Sequence, residues 1–170
     1  NSALELETSV IGKTLAIHGG NRYFKTMDDT EIFVEGFTSP PTLVLIGGGH
    51  VNRAVSRLAS LLGFRMYAVD DRVEFANKER FPEAETLVIS DYSRGLENVS
   101  VNSNTYIVVA TRGHRYDDLA LAAAIRTPAR YIGLLGSRRK TLEIYKNLLK
   151  EKVPTERLRE VYAPIGLNIG

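Results

Sequence analysis

The residues whose types and spacing suggest chemistry begin at Gly47, Gly48 and Gly49, which run directly into His50 and Val51. Three glycines let a backbone turn tightly and approach a phosphate, and the unpaired N–H groups of a following helix attract negative charge. Asp70 follows about 20 positions on, the separation at which an acidic side chain can accept hydrogen bonds from a ribose. Asp71 and Arg72 stand beside it, and Arg72 could accommodate a phosphate. Asn52 occupies the place where a Gly-x-Gly-x-x-Gly pattern carries its third glycine, so the helix is expected to stand off slightly from the strand.

Two later loops add cations. One holds Thr111, Arg112, Gly113, His114, Arg115, Tyr116 and Asp117; the other holds Gly136, Ser137, Arg138, Arg139 and Lys140. Cations at a helix N-terminus oppose its macrodipole, at about 0.3–1 kcal/mol each when exposed, so an anion is expected to offset them. Asp117 and Ser137 can also cap their helices. The candidate ligand-binding set is therefore Gly47, Gly48, Gly49, His50, Val51, Asp70, Asp71, Arg72, Thr111, Arg112, His114, Gly136, Ser137, Arg138 and Arg139. No nucleophile stands beside a base, so no catalytic residue is assigned. His50, His114 and Asp70 match no metal-ligand spacing, and no metal site is assigned.

These loops need a frame that brings them to one edge. Short apolar runs at 43–46, 66–69, 87–89, 106–110 and 131–135 read as buried parallel strands. Val51, Ala54, Val55, Leu58, Ala59 and Leu62 recur at helical spacing, with Arg53, Ser56, Arg57 and Ser60 opposite and Gly63 as the stop. Further helices are expected over 116–125 and 140–150, the latter burying Leu142, Tyr145, Leu148 and Leu149. The links 69–87 and 89–106 carry weaker helix signals. The alternation predicts an α/β fold, a Rossmann-like doubly wound parallel sheet over 42–170. Residues 1–39 read as a small β-rich segment, with runs at 14–17, 22–24 and 31–34 separated by turn residues, and Pro40 and Pro41 mark the boundary.

Composition narrows the classes. The 170 residues are 44% hydrophobic and 25% charged, enough for one full core. A net charge of +2 excludes a general nucleic-acid binder. There is no cysteine, which removes disulfides, thiolate metal sites and thiol nucleophiles and fits a reducing compartment. No stretch has the length to span a bilayer and no signal peptide is legible, so a soluble cytoplasmic protein is expected.

Several segments carry a resemblance: Gly47 to Val51; Val69 to Arg72, followed by Glu74, Phe75, Ala76 and Asn77; Thr111 to His114; residues 131–140; and residues 163–170. In that order and spacing they resemble the Rossmann domain of the XdhC/CoxI family, xanthine dehydrogenase accessory proteins, from about Leu43 to Gly170. The resemblance implies a maturation factor that binds molybdenum cofactor, as molybdopterin or its dinucleotide form, and assists its sulfuration and insertion. It implies xanthine dehydrogenase or a related molybdenum hydroxylase as partner, a cysteine desulfurase as a second, and a homo-oligomer. An NAD(P)-binding oxidoreductase or a nucleotide-sensing regulatory domain is the alternative, because the same glycine loop would serve either.

Overall fold

In a computed structural model, residues 20–25, 29–37, 39–151, 153, 155–167 and 169 are described, with Phe24 and His114 described in their backbone alone. The chain divides into two compact units, Asn1–Pro40 and Pro41–Gly170. In the first, β1 (Gly20–Lys25) pairs antiparallel with β2 (Glu31–Gly36). The run expected at 14–17 lies outside the described residues.

The second unit is built on a six-stranded parallel sheet. Its strands are β3 (Thr42–Ile46), β4 (Arg65–Asp70), β5 (Thr86–Ile89), β6 (Thr105–Val109), β7 (Tyr131–Leu134) and β8 (Val161–Tyr162), in the order β5-β4-β3-β6-β7-β8. This is the doubly wound Rossmann order, in which the chain reverses direction across the sheet between β3 and β6 and leaves a crevice at the strands' carboxyl ends. Among the described residues the helices are α1 (His50–Leu61), α2 (His114–Ile125), α3 (Arg138–Lys150) and the short α4 (Thr155–Arg159), with a 3-10 turn at Gly95–Asn98. Among the described residues no helix is long and apolar enough to cross a membrane.

Because successive side chains of a strand face opposite ways, the sheet carries two cores. Val44, Ile46, Val69, Ile107, Val109 and Leu134 join Leu121 of α2 and Ile144 and Leu148 of α3 on one face. Leu43, Leu45, Met66, Ala68 and Val108 meet Ala59 of α1, Phe81 and Ala84 on the other. Phe81 and Ala84 belong to the link between β4 and β5, which is a series of turns.

The amphipathic faces depart from the expectation in two helices. α1 buries Asn52, Ser56 and Ala59, while Leu58 is 64% and Leu62 74% exposed. The cause is Asn52, whose side-chain amide donates to the carbonyls of Ile46 and Gly47 at 3.1 and 2.8 Å and so turns this edge of the helix toward the strand end. Ser56, next on that edge, donates to Glu83 at 3.1 Å. In α3 the buried residues are Thr141, Ile144 and Leu148, whereas Leu142 and Leu149 are 61% and 47% exposed.

The facing of α3 is directly measurable by urea unfolding. Leu148→Ala should cost about 2–5 kcal/mol by opening a cavity, and Leu142→Ala should stay within about 0.5 kcal/mol.

Candidate functional site

The turn after β3 is shaped by its neighbours on both sides. Gly47 has φ +102°, and a Cβ there would lie 2.2 Å from the Ala110 carbonyl oxygen. A Cβ on Gly48 would lie 2.2 Å from the carbonyl oxygen of Phe75. Only glycine fits at these two positions. Gly49 differs: a Cβ there would meet nothing within 4 Å. It stands as the N-cap of α1 with no side-chain hydrogen bond to the helix, so no capping side chain serves the first N–H groups of α1.

Asp70, at the end of β4, holds this turn in place. Its carboxylate is 1% exposed. Oδ2 accepts the backbone N–H of Gly48 at 2.7 Å and the Tyr92 hydroxyl at 3.0 Å. Oδ1 accepts the backbone N–H and Nε of Arg72 at 3.1 and 3.0 Å. Burial is the largest single influence on its pKa and opposes ionisation, but the Arg72 side chain, the Gly48 N–H and Tyr92 together outweigh it and hold the carboxyl below its ordinary range. The Tyr92 hydroxyl is pushed well above its usual value by burial and by the Asp70 charge.

A ring of contacts surrounds the turn. Arg112, from the loop after β6, donates to Asp71 Oδ2 at 2.7 Å and lies over the Tyr116 ring, 4.3 Å from its centre. Tyr116 meets Tyr92 edge to face at 5.4 Å. Arg72 lies 3.6 Å above the Phe75 ring, and Arg80 lies 4.7 Å from the same ring while donating to the Gly48 carbonyl at 3.2 and 3.1 Å. Tyr92 and Arg80 carry no signal in the sequence, since neither sits in a periodic segment. Phe75 entered only through a motif.

A cavity of about 260 Å³ lies over the turn, lined by Gly47, Gly48, Gly49, His50, Val51 and Asp70 together with Arg72, Phe75, Ala110, Thr111, Arg112 and Leu135. The structure thus gathers nine of the candidate residues: Gly47, Gly48, Gly49, His50, Val51, Asp70, Arg72, Thr111 and Arg112. Asp71 stands beside it through its pair with Arg112. The His114 side chain lies outside the described residues.

The loop after β7 behaves otherwise. Gly136, Ser137, Arg138 and Arg139 are not on the cavity lining, which takes only Leu135 from this region. α3 begins at Arg138 because Ser137 caps it, its Oγ accepting the Lys140 N–H at 3.2 Å, so both arginines stand in the helix's first turn and are exposed. Arg139 pairs with Glu143 at 3.5 Å. Asp117 does not cap α2. Its buried carboxylate accepts the Thr111 N–H and hydroxyl at 3.1 and 2.6 Å and pairs with Lys140, fixing the loop after β6. Among the described residues no cluster of three or more His, Cys, Asp or Glu could hold a metal.

A group whose pKa falls on folding contributes stability above its unfolded value, near pH 3.9, and loses it as pH drops through the lower folded value. Asp70→Asn should therefore lower stability at pH 7 by roughly 2–3 kcal/mol and flatten the acid side of the stability profile. Denaturant unfolding between pH 2 and pH 7 checks both effects.

Comparison with known proteins places this geometry. The family model described as the XdhC Rossmann domain matches residues 43–170. YqeB, an uncharacterized protein of Escherichia coli strain K12, is 36% identical over 82% of this chain and 26% of its own length. A probable xanthine dehydrogenase subunit from Bacillus subtilis strain 168 is 30% identical over 83% of this chain and 41% of its own. The chain thus spans well under half of either relative. A crystal structure of a xanthine dehydrogenase from Bacillus halodurans shares the fold, with a TM-score of 0.68 and 21% identity over 86% of this chain and 43% of that one. With strand order, glycine turn and family match all in agreement, the chain belongs to the XdhC Rossmann-domain family.

Proposed function

We propose that this domain holds molybdenum cofactor by its phosphate and serves as part of an accessory factor that delivers it to xanthine dehydrogenase or a related molybdenum hydroxylase. The observation that carries the reading is the open ground in front of Gly49, where an uncapped helix start meets a cavity lined by Arg72 and Arg112. Helix N–H groups and two guanidinium groups favour the same kind of guest, an anion. Molybdopterin carries a phosphate, and its dinucleotide forms carry a pyrophosphate.

In this reading the N–H groups from Gly49 onward bind the phosphate, Arg72 and Arg112 neutralise it, and Phe75 and Leu135 supply apolar wall. The cofactor, when bound, brings the metal redox chemistry that its client enzyme uses. The 170 residues contain no cysteine, so sulfur for cofactor sulfuration would come from another source, a cysteine desulfurase being the natural donor. The oxidoreductase and nucleotide-sensing readings use the same cradle, but they ask Asp70 to accept ribose hydroxyls while its oxygens already serve Gly48, Tyr92 and Arg72.

The test incubates the protein in parallel with molybdenum cofactor, NAD and NADP, and reads retained ligand and thermal midpoint. Molybdenum cofactor should be retained and should stabilise the fold, by about 2.7 kcal/mol at a hundredfold excess over Kd. Gly49→Asp places a carboxylate in the open space and should abolish retention without lowering the unliganded midpoint, because Asp is itself a favoured N-cap. Selective retention of NAD or NADP, or undiminished retention by Gly49→Asp, would contradict the reading.

A further inference from the structure

Asp70 ends β4, the place from which a carboxylate in a fold of this type accepts ribose hydroxyls from a bound nucleotide. In this chain its oxygens already serve the protein. Oδ2 accepts the Gly48 N–H at 2.7 Å and the Tyr92 hydroxyl at 3.0 Å, while Oδ1 accepts the backbone N–H and Nε of Arg72 at 3.1 and 3.0 Å. With Asp70 only 1% exposed, a ribose hydroxyl reaches it by displacing one of these donors.

The donors differ in how they could be displaced. Gly48 is held by its packing under the Phe75 carbonyl, and Tyr92 is itself buried. The Arg72 side chain is the group between the carboxylate and the open cavity, 29% exposed and on the cavity lining. It is held from two sides, by a further contact of Nη2 with Asp70 Oδ2 at 3.4 Å and by the Phe75 ring 3.6 Å below it. Exchange is also unfavourable in charge. A hydroxyl is a neutral donor, and putting it in place of the guanidinium would take the counter-charge from a buried carboxylate. The guanidinium carries five N–H donors in one plane, so the same side chain can face Asp70 and a phosphate at once.

Resting on the proposed phosphate-binding role, we infer that Arg72 closes Asp70 to the ligand, so that the site binds a phosphate ester through its phosphate and does not read ribose hydroxyls. The ligand class is then set by the phosphate. A nucleotide gains nothing from its 2′ and 3′ hydroxyls, and an ester whose organic body is not ribose loses nothing by lacking them. Arg72 is in this sense a specificity-determining residue.

Isothermal titration of the whole chain with AMP, 2′,3′-dideoxy-AMP and inorganic phosphate tests this. The wild type should bind the two nucleotides alike, within about twofold. Arg72→Ala leaves Gly48, Tyr92 and the backbone N–H at position 72 on Asp70. It should weaken both nucleotides by loss of a cation and should now prefer AMP by about tenfold, the scale of a hydrogen bond to a charged acceptor. A wild type that prefers AMP by that factor, or that binds phosphate while rejecting both nucleotides, would overturn the inference. So would an Arg72→Ala protein with an intact thermal transition that still binds both alike; if that variant does not fold, the wild-type comparison decides alone. Failure of the phosphate-binding role is distinguishable: neither phosphate nor either nucleotide would then bind the wild type, and the inference would fall with it.

Discussion

The buried carboxylate of Asp70 accepts the backbone N–H of Gly48 at 2.7 Å, and the form of the whole site depends on that bond. It joins the end of β4 to the turn after β3, so the turn is fixed by a charged group as well as by the sheet. A hydrogen bond to a charged acceptor in a buried setting is stronger than a neutral one, and losing the partner would strand a charge out of water. Tyr92 and Arg72 complete the carboxylate's bonding. Through Tyr92, Tyr116 and Arg112 the same carboxylate is linked by successive contacts to the loop after β6.

A division of labour among the three glycines follows. Gly47 and Gly48 are required because the Ala110 and Phe75 carbonyls crowd them from either side. The turn is thus packed from within, and Arg80 adds two hydrogen bonds to the Gly48 carbonyl. Gly49 alone leaves space. A turn packed from both sides with one open position would lower the ordering cost of the proposed phosphate binding.

The sheet and the glycine turn were legible in the sequence because both depend on local signals: apolar runs of strand length, and glycines between a strand and an amphipathic helix. Periodicity located α1 but misjudged its facing, since the apolar set from Val51 to Leu62 outweighs Asn52 in any local pattern. What orients the helix is the Asn52 amide on the carbonyls of Ile46 and Gly47, a contact made only once strand and helix meet. The role of Asp70 was similarly half visible. Its position was marked by spacing, but the partners that occupy it come from 22 residues away on either side, at Gly48 and Tyr92. Local pattern alone starts α3 at 140 and leaves Arg138 and Arg139 as loop cations; the Ser137 cap draws them into the helix.

In the proposed role, phosphate meets the N–H groups at the start of α1 while the bond from Gly48 to Asp70 stays closed. Amide NMR during titration with a phosphate monoester tests this most directly. The amides of Gly49, His50 and Val51 should shift most, and the Gly48 amide should stay protected from hydrogen exchange throughout. Shifts centred elsewhere, or a Gly48 amide that opens to exchange as ligand binds, would contradict it.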